Sequence, residues 1–200
     1  MKLTVVSAGL ADPSSTRLLA DRLTESTRNA LTAHEVEVDA EIVEVRRLAH
    51  DIVDQLLTRV WSPALTQARD AMTSADAIIA VTPTFSMSYS GLFKSFIDTL
   101  DEGVLAGIPT LLGATGGTAR HSMVLESAMR PLFSYVKTLT LPTAVYAASQ
   151  DWGTPGLDGR IDRAGQELAD LVTSRPSRLR PDPFDERSAG FTSFEQMLPS

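Results

Sequence analysis

Leu3-Thr4-Val5-Val6-Ser7-Ala8-Gly9-Leu10-Ala11-Asp12-Pro13-Ser14-Ser15-Thr16-Arg17 opens the chain and carries the pattern that decides its fold. The short apolar run Leu3–Val6 reads as a buried parallel strand, and it breaks into a loop containing glycine and proline. A helix follows from near Ser14 or Ser15, with Leu18, Leu19, Leu23 and Leu31 as its apolar stripe. The same succession occurs twice more. Ala77–Val81 opens into Thr82-Pro83-Thr84-Phe85-Ser86-Met87-Ser88-Tyr89-Ser90-Gly91, and Thr110–Leu112 opens into Gly113-Ala114-Thr115-Gly116-Gly117-Thr118.

Between these landmarks, Asp39–Val45 reads as a second strand, and Leu48–Leu57 and Pro63–Ser74 as helices. Gly91–Leu100 is an amphipathic helix with Leu92, Phe93, Phe96, Ile97 and Leu100 toward the core. A helix over Ser122–Val136 is expected to kink at Pro131, Thr140–Ala148 is a fifth strand, and Ile161–Thr173 closes the domain. Strands alternating with helices imply right-handed crossovers in an α/β fold. The expectation is a doubly wound, five-stranded parallel sheet of order 2-1-3-4-5 with helices on both faces, the flavodoxin-like arrangement. In such sheets ligands bind beyond the carboxyl ends of the strands, where the order reverses. The loops after strands one, three and four become neighbours there and suggest one shared crevice. Residues 1–175 read as that domain. Residues 176–200, rich in proline at first and then carrying Thr192-Ser193-Phe194-Glu195 as a capping box, read as an extended C-terminal arm with a short terminal helix. A frayed tail is the plainer alternative.

Composition narrows the function. At 200 residues and 43% hydrophobic, the chain fits one domain with a full core. A net charge of -7 argues against a nucleic-acid surface, no apolar run is long enough to span a bilayer, and no secretory leader is legible. The simplest reading is a soluble cytoplasmic protein. Cysteine is absent, which removes disulfides, thiolate metal sites and cysteine nucleophiles; no His, Asp or Glu spacing suggests a metal.

Ser14, Ser15, Thr16 and Arg17 stand where a helix begins, and helix N-termini bind anions through unpaired N–H groups and the helix dipole. An N-cap explains one hydroxyl. It does not explain three hydroxyls and a forked cation in succession. Neither G-x-G-x-x-G after strand one nor G-x-x-x-x-G-K-[ST] is present, so a monophosphate tail such as that of FMN fits better than a dinucleotide or a nucleoside triphosphate.

The segment from Pro83 to Asp98 resembles the NADPH-dependent FMN reductase family, whose second loop runs Pro-x-Tyr-x-x-Ser-x-x-Gly-x-Leu-Lys-x-x-Ile-Asp. Pro83, Ser88, Gly91, Lys94, Ile97 and Asp98 match in register, while Phe85 replaces the tyrosine and Phe93 the leucine. The first and third loops are similar to the family's as well, so the likeness covers about residues 1–150; within the family, the chain looks most like actinobacterial reductases with a C-terminal arm. The resemblance implies FMN bound by Ser7, Ser14, Ser15, Thr16 and Arg17 in loop one, by Pro83, Thr84, Phe85, Ser86, Met87 and Ser88 in loop two, and by Thr115, Gly116 and Gly117 in loop three. The physics agrees. A flat ring needs an apolar wall and backbone donors along its edge, and Gly116-Gly117 permits close backbone approach, although an ordinary turn is an alternative.

The implied activity is NAD(P)H-dependent FMN reduction, with hydride passing from NADPH or NADH to flavin N5 by a ping-pong mechanism. The cofactor carries the chemistry and no side chain is assigned as catalytic. A homodimer or dimer of dimers is implied, as is a flavin-dependent monooxygenase receiving the reduced FMN. An FMN-containing quinone or azo reductase, a flavodoxin-like electron carrier and a flavin-free interaction protein remain open alternatives. Lys94 and Asp98, one turn apart, read as a surface pair. His121 reads as a capping or solvent-facing histidine or a nicotinamide contact, and Trp152 as a loop anchor or a cover for the flavin mouth.

Overall fold

Alternate residues of each central strand face opposite ways, and both ways are apolar. Leu3, Val5, Ile79, Val81, Leu111 and Val145 pack on one side of the sheet, and Val6, Ile78, Ala80, Leu112 and Ala114 on the other. A strand buried on both faces needs helices on both, and that sandwich is observed. The structure, a computed structural model, describes residues 1–175; the arm and terminal helix read in residues 176–200 lie outside the described residues.

The parallel strands are β1 (Lys2–Ser7), β2 (Asp39–Glu44), β3 (Ala77–Phe85), β5 (Pro109–Gly116), β6 (Leu139–Thr140) and β7 (Val145–Ala148), with β4 (Ser88–Tyr89) antiparallel to the end of β3. The order is β2-β1-β3-β5, and β6 and β7 share the outer edge of β5. The expected order 2-1-3-4-5 therefore holds, with the fifth position filled by two short pieces instead of one strand over 140–148. The break falls around Pro142: the donors to β5 alternate through Leu139 and Leu141, and the next in that series, the Thr143 N–H, turns instead to the Glu167 carboxylate at 3.3 Å. Arg130 serves the gap by donating to the carbonyls of Leu141 at 2.8 Å and Pro142 at 3.0 Å.

The helices α1 (Ser15–Ala33) and α6 (Pro155–Thr173) cover one face; α2 (Ala49–Thr58), α3 (Pro63–Thr73), α4 (Gly91–Asp98) and α5 (Arg130–Tyr135) cover the other. Leu18 is an exception to the expected stripe of α1, being 48% exposed while Leu19, Leu23 and Leu31 are buried. The helix expected over 122–136 is present as a continuous helical stretch from about Val124 to Tyr135, with a π-helical segment at Leu125–Met129 that runs directly into α5. The irregularity falls just ahead of Pro131, which lacks the N–H that a regular helix would use, as the expected kink implies. Lys94 and Asp98 pair at 2.6 Å as their spacing implies. No described helix is long and apolar enough to cross a membrane.

Two glycines of α6 make opposite predictions. A Cβ at Gly165 would lie 2.9 Å from the Ser26 backbone of α1, whereas one at Gly159 meets nothing within 4 Å. Thermal unfolding should show Gly165→Ala destabilised by about 1–3 kcal/mol through overpacking. Gly159→Ala should be stabilised by roughly 0.5–1 kcal/mol through helix propensity.

Candidate functional site

The parallel register brings the strand ends to one rim. Ser7 pairs with Glu44 on one side and Val81 on the other, Pro83 with Thr115, and Gly116 with Ala148. The three polar loops leave from these ends and stand side by side.

In loop one, Ser7 is buried at the end of β1 and Ser14 is the N-cap of α1, its Oγ accepting the Arg17 N–H at 3.2 Å. The N–H groups of Ser15 and Thr16 fall in the first helical turn, where no intrahelical acceptor exists. Ser15 is exposed, and Thr16 turns inward, where its Oγ1 lies 2.8 Å from Thr115 Oγ1 of loop three. Gly9 arches over the turn so closely that a Cβ there would stand 1.9 Å from Ser14 Oγ. A cavity of about 190 Å³ lies against this turn, lined by Ser7, Ser14, Arg17, Glu44, Arg46 and Arg47 among others. Arg17 donates from Nε to Asp21 at 2.7 Å and from Nη1 to Glu44. The Asp21 hydrogen bond holds the guanidinium pKa above its already high value, so the cation is permanent.

Loop two is shorter than the sequence suggests, because β3 continues through Phe85 and turns back on β4. Phe85 pairs with Ser88 across a two-residue turn in which Ser86 and Met87 both have positive φ, 49° and 66°. Such turns favour Asn-Gly, and neither residue here is a usual left-handed one. The hairpin presents Phe85 and Met87, 46% and 59% exposed, at the rim. Its base is fixed where the Ser90 N–H donates to Thr82 Oγ1 at 3.1 Å and Ser90 Oγ caps α4 by accepting from Phe93 N at 3.2 Å. Pro83 and Thr84 are half-buried beneath the tip.

In loop three the two glycines separate. A Cβ at Gly116 would meet the Tyr146 hydroxyl at 2.2 Å, so its glycine serves packing within the protein. Gly117 is exposed, and a Cβ there meets nothing within 4 Å, which leaves its backbone open to a ligand. Tyr146, on β7, donates to the Thr118 carbonyl at 2.9 Å. Burial pushes its phenol pKa up and the Asp151 carboxylate adds to the rise. The phenol therefore stays protonated and holds loop three as a donor.

The sequence reading missed Gly9, Tyr146, and the Glu44–Arg47 turn after β2. The last was findable, since order 2-1-3 puts the end of strand two beside loop one. Tyr146 was hidden by the unforeseen strand break. Trp152 packs against the core between the sheet and α6, and His121 closes the turn after loop three by a backbone bond to Thr118 at 3.3 Å.

The chain is similar to known proteins in sequence and in fold. The family model described as NADPH-dependent FMN reductase matches residues 1–153. An "FMN reductase (NADPH)" of Pseudomonas aeruginosa is 35% identical over 185 residues, covering 90% of this chain and 96% of its own. An NADH-dependent FMN reductase of Pseudomonas fluorescens is 33% identical over 177 residues, covering 86% of this chain and 91% of its own. A crystal structure of an oxidoreductase from Corynebacterium diphtheriae superposes with a TM-score of 0.85 at 41% identity, covering 88% of this chain and 98% of that one. The family match runs past the last strand of the sheet and takes in all three loops of the rim, and on that ground the chain belongs to the NADPH-dependent FMN reductase family.

Proposed function

We propose that the rim binds FMN and that the protein reduces it with a nicotinamide donor, NADPH or NADH. The observation that carries this is the pairing of an anion-ready helix start with an open backbone glycine and an apolar hairpin on adjacent strand ends. Ser7, Ser14, Ser15, Thr16 and Arg17 would hold the phosphate. The segment Pro83–Ser88 would wall the ring, and Thr115, Gly116 and Gly117 would border its edge. The donor set fits: N–H groups and hydroxyls at the helix start suit an anion, and the space above Gly117 suits a flat edge.

When bound, FMN supplies the redox chemistry by accepting a hydride from the nicotinamide. The protein's part is to bind and orient. Thr16 and Thr115 lock loop one to loop three, Tyr146 fixes the Thr118 carbonyl, and the Gly117 N–H stands ready to donate where negative charge develops. Donor and acceptor would visit this one rim in turn, which gives ping-pong kinetics. We further read the protein as a cytoplasmic homodimer or dimer of dimers, with a flavin-dependent monooxygenase taking the reduced FMN. Family membership supports these readings.

Anaerobic mixing of protein, FMN and NADPH, repeated with NADH, should bleach the yellow flavin rapidly with at least one donor. Colour that persists with both donors until a separate reductase is added would establish an electron carrier instead. Arg17→Ala should weaken FMN binding by roughly 1.5 kcal/mol, the low end for a charged hydrogen bond because two carboxylates already share the guanidinium. Riboflavin binding, measured by fluorescence quenching, should change little. Gly117→Val should lower affinity for both flavins while the apo protein keeps its melting temperature; a destabilised apo protein would mark Gly117 as a structural turn.

A further inference from the structure

The phosphate end of the rim contains more positive charge than a monophosphate needs, and all of it is already engaged. Arg17 comes from α1, and Arg46 and Arg47 from the turn that follows β2. Arg46 donates to Asp12 at 2.7 Å, Arg47 to Glu44 at 2.6 Å, and Arg17 to both Asp21 and Glu44. Three cations thus face three carboxylates and leave no net formal charge beside the helix start.

Glu44 is the shared element. Its Oε1 accepts from Arg17 and its Oε2 from Arg47, so one carboxylate occupies two guanidinium groups. Its side chain is 21% exposed, against 45% for Asp21 and 76% for Asp12, so water screens it least. It also stands opposite Ser7 in the β1–β2 register, on the wall of the cavity where the phosphate is placed. A phosphate entering that cavity must share the Arg17 fork with Glu44 and sit beside its negative charge.

Resting on the FMN reading above, we propose that Glu44 sets the affinity for the flavin phosphate: it competes for the arginines and keeps FMN exchangeable, as a substrate and not a permanently held group. Asp21 also bonds Arg17 directly, at 2.7 Å, but it stands one turn along α1 and does not line the cavity, so the competition with an entering phosphate falls to Glu44.

The test is titration of FMN and of riboflavin into the wild type, Glu44→Gln and Arg17→Ala, with FMN dissociation followed by stopped flow and the apo fold by thermal melting. Glu44→Gln should tighten FMN about fivefold, or about 1 kcal/mol, slow its dissociation and leave riboflavin unchanged. If Glu44→Gln fails to fold, Glu44→Ala should show the same direction. Unchanged or weaker FMN binding in the Glu44 variant, with Arg17→Ala still selective for FMN, overturns the proposal and leaves the phosphate site standing. If Arg17→Ala does not distinguish the two flavins, the phosphate site itself is misplaced and the role of Glu44 falls with it.

Discussion

Two hydroxyls 99 residues apart in the chain, Thr16 Oγ1 and Thr115 Oγ1, meet at 2.8 Å in the protein interior. Thr16 lies in the first turn of the helix after β1, and Thr115 in the last residues of β5. A buried hydroxyl left without a partner costs about 1–3 kcal/mol, so each depends on the other. Their contact is possible only because β1, β3 and β5 are adjacent and parallel with their ends level. It joins the turn assigned to the phosphate to the loop assigned to the ring, across the point where strand order reverses.

Around that joint the rim is assembled from unequal materials. The helix start is rigid and capped, and loop three is held from below by the Tyr146 phenol. The hairpin is different, since its two tip residues adopt a backbone that glycine would enter at less cost. Strain of this kind persists where surrounding structure fixes it, and here the Thr82–Ser90 bond and the β3–β4 pairing do so. The result is an exposed phenylalanine and methionine where soluble proteins usually place polar residues. Beside them, Arg17 and the two arginines of the turn after β2 are paired with Asp12, Asp21 and Glu44.

Much of this was legible in the residues. Apolar runs ending in hydroxyl-rich or glycine-rich loops marked the parallel strands and their order, and Ser14-Ser15-Thr16-Arg17 marked the helix start. Lys94 and Asp98 were readable from spacing alone. What escaped depended on contacts between distant segments. Nothing near Gly116 says that its missing side chain makes room for Tyr146, so the two glycines of loop three looked equivalent. The Pro142 break and the π-helical segment before Pro131 turn on which backbone groups find partners, and Arg130 supplies two of those from another element. Leu18 fits the helical stripe by spacing yet lies at its solvent edge.

Everything assigned to function rests on one placement of FMN, and a crystal structure of the protein with FMN tests it most directly. The expected result is a phosphate at the Ser14–Arg17 turn and a ring lying between the Phe85–Met87 hairpin and Gly117. FMN found at the opposite rim, in the cavity of about 460 Å³ near Met1, Asp76 and Ile108, would contradict the account.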